Sequence, residues 1–410
     1  MIKTDLTNAQ VNLADIELGK IKEAHAKIRT NKVEDSNVWV ELPNLVTDSE
    51  IAEIQKMAKY IRENCDVMFV IGVGGSYAGA YAGMQWLCSN GECGGKCFPV
   101  EYLGISFDPA TLKNILEKYK GKRICVNIVS KSGTTLEIIS AFNAVAPYAT
   151  HVVATTSADK GFVKEYATSR GVMSFKILDG VGGRYSALGA VGYLPLAVDG
   201  VDIKKMHEGA RQAYKDLAVS DLQKNEAYKY AAARWLLHKR TGKNVEVLAS
   251  FFDGLEGLGR WWQQLFGESE GKEGKGLFPV NLVYSRDLHS MGQYVQQGNP
   301  IYFETLIDIE KPSVDFALDV KQSEDMLRVP VASMAELNRA AFVGTVKAHT
   351  DAGVPVVLVK ADRLDAAGMG YMFYFFEIAC AMSAFLLGVN PFDQPGVEFY
   401  KKNMREELKK

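Results

Sequence analysis

The sequence lacks a dominant charge, and this absence excludes several classes of function. Its 410 residues contain 47 Lys and Arg against 49 Asp and Glu, so the net charge is −2 at pH 7. Such a protein has no general electrostatic attraction for nucleic acid or for acidic membrane surfaces. We therefore expect no nucleic-acid partner and no membrane partner, and function must come from a local site.

Cysteine is also scarce. Six cysteines in a chain of this length are too few for a disulfide scaffold, so we expect mostly buried thiols in a reducing compartment. Cys88, Cys93 and Cys97 lie across a glycine-rich loop, but three thiols lack a fourth ligand and miss the usual two-residue spacing of zinc sites. The sequence therefore does not favour a metal there, and it gives this loop no function.

Long apolar runs are almost absent. The polar start of the chain has no signal-peptide pattern, so we expect a cytoplasmic location. The stretch from Tyr371 to Val389 approaches the length of a membrane span, but Glu377 lies near its middle and no basic cluster flanks it. We interpret this stretch as a buried helix of a globular protein.

What is present is the pattern of a folded α/β protein. Residues 1–60 predict a helical segment, with an apolar stripe that includes Ile51, Ile54 and Ile61. From Val67 onward, short β-rich runs alternate with helical segments, which indicates a parallel sheet, and the pattern restarts after 200–225. The strand candidates are Val67–Val73, Ile124–Val129, His151–Thr155, Ser174–Leu178, Val245–Leu248, Asn281–Tyr284, Ile301–Ile307 and Pro355–Val359.

A first candidate site follows the first of these strands. Gly72, Gly74, Gly75, Ser76 and Gly79 stand where a strand passes into a helix, so backbone N–H groups can close on an anion there. A dinucleotide loop is an alternative, but the spacing differs and no acidic residue ends a strand about twenty residues later. A purely structural turn is the other alternative.

A second candidate site follows the next strand. The segment Ser130–Thr135 places four hydroxyls and Lys131 at another strand-to-helix turn, which suits a phosphate monoester. A routine helix cap would explain one or two of these hydroxyls, but not four. Two such turns on neighbouring strands meet at the edge where α/β sheets bind ligands.

These two segments resemble the sugar isomerase domain that binds sugar phosphates. Four further segments narrow the resemblance to the glucose-6-phosphate isomerase family in its shorter bacterial form. They are Gly182–Leu188, Gly267–Lys272, Asp287–Gln293 and Asn390–Lys401. The resemblance covers residues 70–401 in the family's order.

The resemblance assigns a role to each part of an aldose–ketose isomerisation. Glu268, in a glycine-flanked turn, matches the base that moves a proton between carbons 2 and 1, and Arg184 matches a cation that stabilises the enediolate. His289 and Lys401 match the ring-opening pair, and Glu137 matches the residue that orients the histidine. From residue type alone, each charge could equally be solvated or belong to a structural ion pair, and a lone histidine is more often a packing or surface residue.

The remaining matches concern substrate binding. Gly75, Gln264 and Gln394 match residues that line the pocket. The phosphate ligands implied by the resemblance are Ser76, Ser130, Lys131, Ser132 and Thr135.

The resemblance thus implies two three-layer αβα sugar isomerase subdomains with parallel-rich sheets, at 61–205 and 206–390. The segment 1–60 precedes them, and a helical tail at 391–410 carries Lys401. It also implies a cofactor-free, metal-free enzyme that interconverts glucose 6-phosphate and fructose 6-phosphate through a cis-enediol, in glycolysis and gluconeogenesis. Its active site would be shared within a homodimer, the partner chain supplying His289. An isomerase of mannose or amino sugar phosphates and a non-catalytic sugar-phosphate-binding regulator are the alternatives.

Overall fold

Two five-stranded sheets organise the part of the chain that the structure describes. The computed structural model describes residues 1–29, 37–95 and 97–410, so the predicted helical segment at 1–60 is described except for 30–36. The strands are β1 (Ile2–Asp5), β2 (Val67–Ile71), β3 (Val100–Leu103), β4 (Ile124–Ser130), β5 (Ala149–Ser157), β6 (Met173–Ile177), β7 (Val245–Ser250), β8 (Phe278–Val283), β9 (Tyr302–Ile309) and β10 (Val356–Ala361). The first sheet has the order β3-β2-β4-β5-β6 and is parallel throughout. The second has the order β1-β10-β9-β7-β8 and is parallel except for β1.

Helices connect the strands and cover both sheets. They are α1 (Leu18–Arg29), α2 (Leu42–Leu45), α3 (Asp48–Asn64), α4 (Ala78–Ser89), α5 (Pro109–Lys118), α6 (Leu136–Val145), α7 (Phe162–Ser169), α8 (Ala190–Asp199), α9 (Ile203–Asp216), α10 (Glu226–Thr241), α11 (Glu256–Glu270), α12 (Leu288–Gln297), α13 (Val320–Leu327), α14 (Met334–Asp351), α15 (Ala366–Leu387) and α16 (Val397–Glu407). The expected α/β class with parallel-rich sheets is confirmed.

The predicted strands are confirmed, and two further strands were missed. Each predicted run overlaps an observed strand, with ends that differ by a few residues. The helices of the segment predicted at 1–60 are present, but its start differs from that prediction, because Ile2–Asp5 forms β1 and pairs antiparallel with β10. The other missed strand is Val100–Leu103. Both are short, with four residues each.

Helix α15 lies in the core. It is long and apolar enough to span a membrane, but 89% of its most apolar window is buried inside the protein, which confirms the interpretation as a core helix. Two glycines bring it against α9. A Cβ on Gly370 would lie 1.9 Å from the Met206 carbonyl oxygen, and one on Gly209 would lie 1.9 Å from that of Ala367. These glycines therefore allow the two backbones to touch.

The first sheet positions the two candidate anion loops. Strands β2 and β4 are parallel neighbours, with Val67 opposite Ile124 and Ile71 opposite Ile128. The segments that follow their carboxyl ends, 72–77 and 131–135, therefore leave the sheet at the same edge. The prediction that both loops follow neighbouring strands of one parallel sheet is confirmed.

Candidate active site

Arg184 is the centre of a buried polar cluster. It lies in a short 3-10 turn, Gly183–Tyr185, and is only 3% exposed. Its Nη1 donates to Glu268 Oε2 at 3.0 Å and to Gln394 Oε1 at 2.8 Å, and its Nε donates to Ser269 Oγ at 2.9 Å. One guanidinium thus connects segments about 80 and 210 residues further along the chain. The structural ion pair considered as an alternative does exist, and it joins two of the residues predicted to act on substrate.

Glu268 is held by a second partner on its own helix. Gln264 lies one turn earlier, and its Nε2 donates to Glu268 Oε1 at 3.0 Å. The expectation that Glu268 lies in a glycine-flanked turn is wrong, because it belongs to the last turn of α11. The helix fixes the direction of the carboxylate, and its side chain remains 33% exposed. Glu268 is therefore oriented by two donors while staying accessible to a ligand.

The side-chain oxygen of Gln264 is a hydrogen-bond acceptor that the described residues leave unused. Its Oε1 atom is buried and has no hydrogen-bond partner among the residues that the structure describes. A buried polar atom left unpaired costs free energy, so such atoms are usually satisfied in the functional state. A hydroxyl group of a bound ligand could donate to this oxygen.

Glycines bring the first anion loop against the Arg184 cluster. A Cβ on Gly75 would lie 2.0 Å from the carbonyl carbon and oxygen of Gly183, and one on Gly74 would lie 2.7 Å from Gln264 Nε2. Gly74 also has φ +57°, which glycine adopts at little cost. Any larger residue at position 75 would push the loop and the Arg184 turn apart. The loop that includes Ser76 thus borders the Arg184–Glu268 pair.

The second loop, Ser130–Thr135, places its hydroxyl groups between the end of β4 and the start of α6. Ser130 is buried at the end of β4, and its Oγ accepts from Gly133 N at 3.0 Å. Ser132 is exposed and accepts from the Thr134 hydroxyl at 3.2 Å. Thr135 is the N-cap residue of α6, yet its side chain makes no capping bond. The capping interpretation therefore leaves the Thr135 hydroxyl unexplained, whereas an anion at this helix N-terminus would use it.

Lys131 adds positive charge to this loop. Its Nζ lies 3.8 Å from Asp179 Oδ1, and its side chain is 40% exposed. An ion pair this long and exposed is weak, so it leaves the ammonium able to turn toward an anion.

Several residues of the cluster were not among those predicted from the sequence. Arg184 Nη2 donates to the carbonyl oxygens of Pro391 and Asp393, at 2.5 and 3.1 Å. Lys272 Nζ lies 2.7 Å from Asp393 Oδ1 and its side chain is only 10% exposed, so burial lowers its pKa. Lys272 is therefore a buried charge of this cluster and not a solvated one. The signal was available, since these residues fall inside the motifs that contain Glu268 and Gln394.

His289 lies elsewhere on the chain. It is exposed in the first turn of α12, and its side chain makes no hydrogen bond to any residue that the structure describes. Arg286, three residues earlier, donates to Glu256 at 3.3 Å, at the start of α11, whereas Glu268 is near its end. Twelve residues of helix separate those two glutamates by roughly 18 Å. Within one chain, the structure therefore does not bring His289 to Glu268.

Lys401 and Glu137 make no hydrogen bond to the cluster among the residues that the structure describes. Lys401 lies on α16 and its Nζ donates to Glu398 Oε1 at 2.7 Å, in an exposed pair. Glu137 lies in the first turn of α6, directly after the second loop, and is half-buried. The structure thus assembles Gly75, Arg184, Gln264, Glu268 and Gln394, and leaves His289, Lys401 and Glu137 outside their direct contacts.

Comparison with known proteins points to one family. The family description "Phosphoglucose isomerase" matches residues 54–277. A curated glucose-6-phosphate isomerase from Clostridium tetani is 41% identical, over 98% of this chain and 95% of its own length. A solved glucose-6-phosphate isomerase from Chlamydia trachomatis shares the fold, with a TM-score of 0.82 at 20% identity over 99% of this chain and 88% of that one. A hypothetical protein from Thermus thermophilus superimposes with a TM-score of 0.90 at 26% identity, and all of both chains is covered.

Proposed function

Because the chain belongs to the phosphoglucose isomerase family, we propose that the side chains gathered around Arg184 form its active site. The reaction is the interconversion of glucose 6-phosphate and fructose 6-phosphate, a step of glycolysis. The observation that carries the proposal is the double contact of Arg184 Nη1 with Glu268 and Gln394, beside the glycine-rich loop at Gly75. Conversion of fructose 6-phosphate by the purified protein, read through a glucose-6-phosphate dehydrogenase coupling step, tests it.

Glu268 is the base in this proposal. Its carboxylate takes the proton from carbon 2 of the open-chain aldose and returns it to carbon 1, so the carboxylate is regenerated in each turnover. The negative charge that develops on the enediolate oxygens faces the Arg184 guanidinium, which is already held in place by five hydrogen bonds. A cation that is fixed before the reaction stabilises the charged intermediate without a cost for reorganisation.

The two loops at the edge of the first sheet hold the phosphate in this proposal. Ser76, Ser130, Ser132 and Thr135 offer hydroxyls, Lys131 offers a cation, and the start of α6 offers backbone N–H groups.

We expect Thr135→Val to raise KM for fructose 6-phosphate by about 10-fold or more, because a hydrogen bond to a charged group is lost. The side chain keeps its shape, and α6 loses no cap, since the Thr135 hydroxyl makes none. Steady-state kinetics measure the change. Thr47→Val is the matched control: its hydroxyl accepts from Glu50 N and caps α3, so that variant should lose stability and keep its KM. Equal KM values in Thr135→Val and the unmodified enzyme would contradict the role of Thr135.

We also propose a homodimer in which His289 of one chain completes the site of the other. The exposed position of His289, at the opposite end of α11 from Glu268, supports this arrangement. Exposed apolar side chains on α16 and in the second half of the chain also support an interface, among them Phe399 at 73% and Phe316 at 69% exposure. In the completed site, His289 and Lys401 open the sugar ring, and Glu137 orients the histidine.

Mixing two inactive variants tests the shared site. In a heterodimer of Glu268→Gln and His289→Ala chains, one site is doubly defective and the other is intact, so we expect about a quarter of the original activity in a randomly mixed sample. Glu268→Gln mixed with Arg184→Ala is the control, because those two residues belong to the same chain in the structure and no intact site can form. Activity that fails to return in the first mixture, when dimers have exchanged, would exclude a shared site.

The division into subdomains at 61–205 and 206–390 and a cytoplasmic location remain part of the proposal. The two sheets support the division, because β2 to β6 fall in the first range and β7 to β10 in the second.

A further inference from the structure

A second cluster of reactive side chains lies outside the proposed active site. The ligand atoms of Cys88, Cys93, Cys97 and Asp199 all lie within 4.8 Å of one another. Cys88 is in the last turn of α4, Cys93 and Cys97 are in the loop that follows, and Asp199 is the last residue of α8. The sequence left these three thiols without a fourth ligand. The fold supplies one, Asp199, which is 111 residues after Cys88.

The backbone at the end of α8 lies close to the loop that carries Cys93 and Cys97. Gly200, directly after α8, has φ +111°, and a Cβ there would lie 2.7 Å from both the Cys93 carbonyl oxygen and Arg62 Nη1. Phe98 N donates to the Asp199 carbonyl oxygen at 3.3 Å, so the far side of the loop is also fixed to the end of α8. The loop therefore contacts the end of α8 both before and after Cys97, at Cys93 and at Phe98. Its own glycines with positive φ are Gly91, Gly94 and Gly95.

Among the residues that the structure describes, the Asp199 carboxylate has Cys88 Sγ as its close polar contact and Arg62 as its nearby positive charge. Asp199 is only 3% exposed, and its Oδ2 lies 2.7 Å from Cys88 Sγ. In the structure Cys88 and Cys93 form a disulfide, whose sulfurs carry no hydrogen to donate. Burying a carboxylate is costly unless a cation or a donor faces it, and Arg62 offsets part of that cost. A cation shared by the carboxylate and the sulfurs would account for their convergence.

We propose that, when Cys88 and Cys93 are reduced, the chain binds one Zn²⁺ through Cys88, Cys93, Cys97 and Asp199. Zinc prefers four ligands in a tetrahedron, takes Cys sulfur and Asp oxygen, and in sites with four protein ligands is structural. A dithiol reductant supplies two electrons and two protons to the disulfide and is itself oxidised to a disulfide. Zinc then displaces one proton from each of the three thiols to solvent and stays Zn²⁺ throughout.

The position of the cluster indicates a structural role. Helix α4 starts next to the glycine-rich loop at Gly75, and Cys88 lies near its other end. At 1.5 Å per residue, that helix places the cluster roughly 15 Å from the Arg184 site. Helix α8 likewise begins a few residues after Arg184 and ends at Asp199. The metal would join the far ends of two helices that carry the active-site loops, without touching substrate.

Metal content and cobalt spectroscopy test this site. The protein is purified anaerobically with a dithiol reductant, and zinc per chain is measured by atomic emission. Replacement by Co²⁺ then reports thiolate ligands through charge-transfer absorption. We expect one zinc per chain, and affinity lowered by more than about 100-fold in Cys97→Ser and in Asp199→Asn, because losing a ligand costs more than losing a hydrogen-bond partner of a ligand. Glu92→Gln is the matched control, a carboxylate in the same loop that is not one of the four ligands.

These variants separate a metal site from a simple disulfide. Cys97→Ser leaves Cys88 and Cys93 able to pair, so a disulfide alone would behave as in the unmodified chain. Circular dichroism shows whether each variant is folded. Two results would overturn the proposal: no zinc in a chain in which all six cysteines titrate as free thiols, or zinc content unchanged in both Cys97→Ser and Asp199→Asn.

Discussion

We expect Glu268→Gln to lower kcat by about 10²- to 10⁴-fold, the usual contribution of a positioned general base. The amide keeps the size and shape of the side chain, and its oxygen can still accept from Arg184, but it cannot take a proton from carbon. We expect the fold and the binding of fructose 6-phosphate to be preserved, so KM changes far less than kcat. Coupled steady-state kinetics, together with circular dichroism of the variant, measure both.

A glutamate in the same region serves as the control for that result. Glu273 lies a few residues later, is exposed and pairs only with Lys275 among the residues that the structure describes. Glu273→Gln should keep full activity, because its charge is solvated. If both variants were equally active, Glu268 would not be the base. The sugar-phosphate-binding regulator would then be favoured if fructose 6-phosphate still bound without turnover.

We expect Arg234→Ala to destabilise the fold by about 3–5 kcal/mol, because it leaves two buried carboxylates without their counter-charge. Arg234 on α10 is fully buried, and its guanidinium donates to Glu246 and to Glu270 at 2.5 Å each and to Ser383 at 2.6 Å. It also lies over the ring of Phe266, 4.1 Å from its centroid. Urea unfolding measures the loss, and the last turn of α11, which carries both Glu268 and Glu270, should loosen first.

An exposed ion pair is the control for Arg234. Arg260 pairs with Glu256 on the surface of α11, where its side chain is 64% exposed, so Arg260→Ala should change stability by no more than about 1 kcal/mol. If Arg234→Ala does not fold, the triple variant Arg234→Met, Glu246→Gln, Glu270→Gln provides the test. It removes all three charges together and should fold. A free energy of unfolding for Arg234→Ala equal to that of Arg260→Ala would contradict the prediction.

Some features of this protein were determined by the sequence through local physics. The strand runs and the glycine- and hydroxyl-rich turns can be identified because neighbouring residues dictate backbone conformation and burial. Parallel β2 and β4 could be expected to bring their loops together, because such strands end at one edge of a sheet. The resemblance at Glu268 and Arg184 also came from short motifs that stand complete in the printed sequence.

Other features were decided only by the tertiary structure. Glu268 and Glu270 are two residues apart and chemically alike, yet one faces Arg184 at an accessible site and the other is buried against Arg234. Helical periodicity turns adjacent side chains to different faces, and only the packing of α10 and the 183–185 turn decides what each face meets. The contact between Asp199 and Cys88 was likewise decided only by the tertiary structure. No local pattern records a contact between residues 111 positions apart, because its free energy is realised only when the chain has folded.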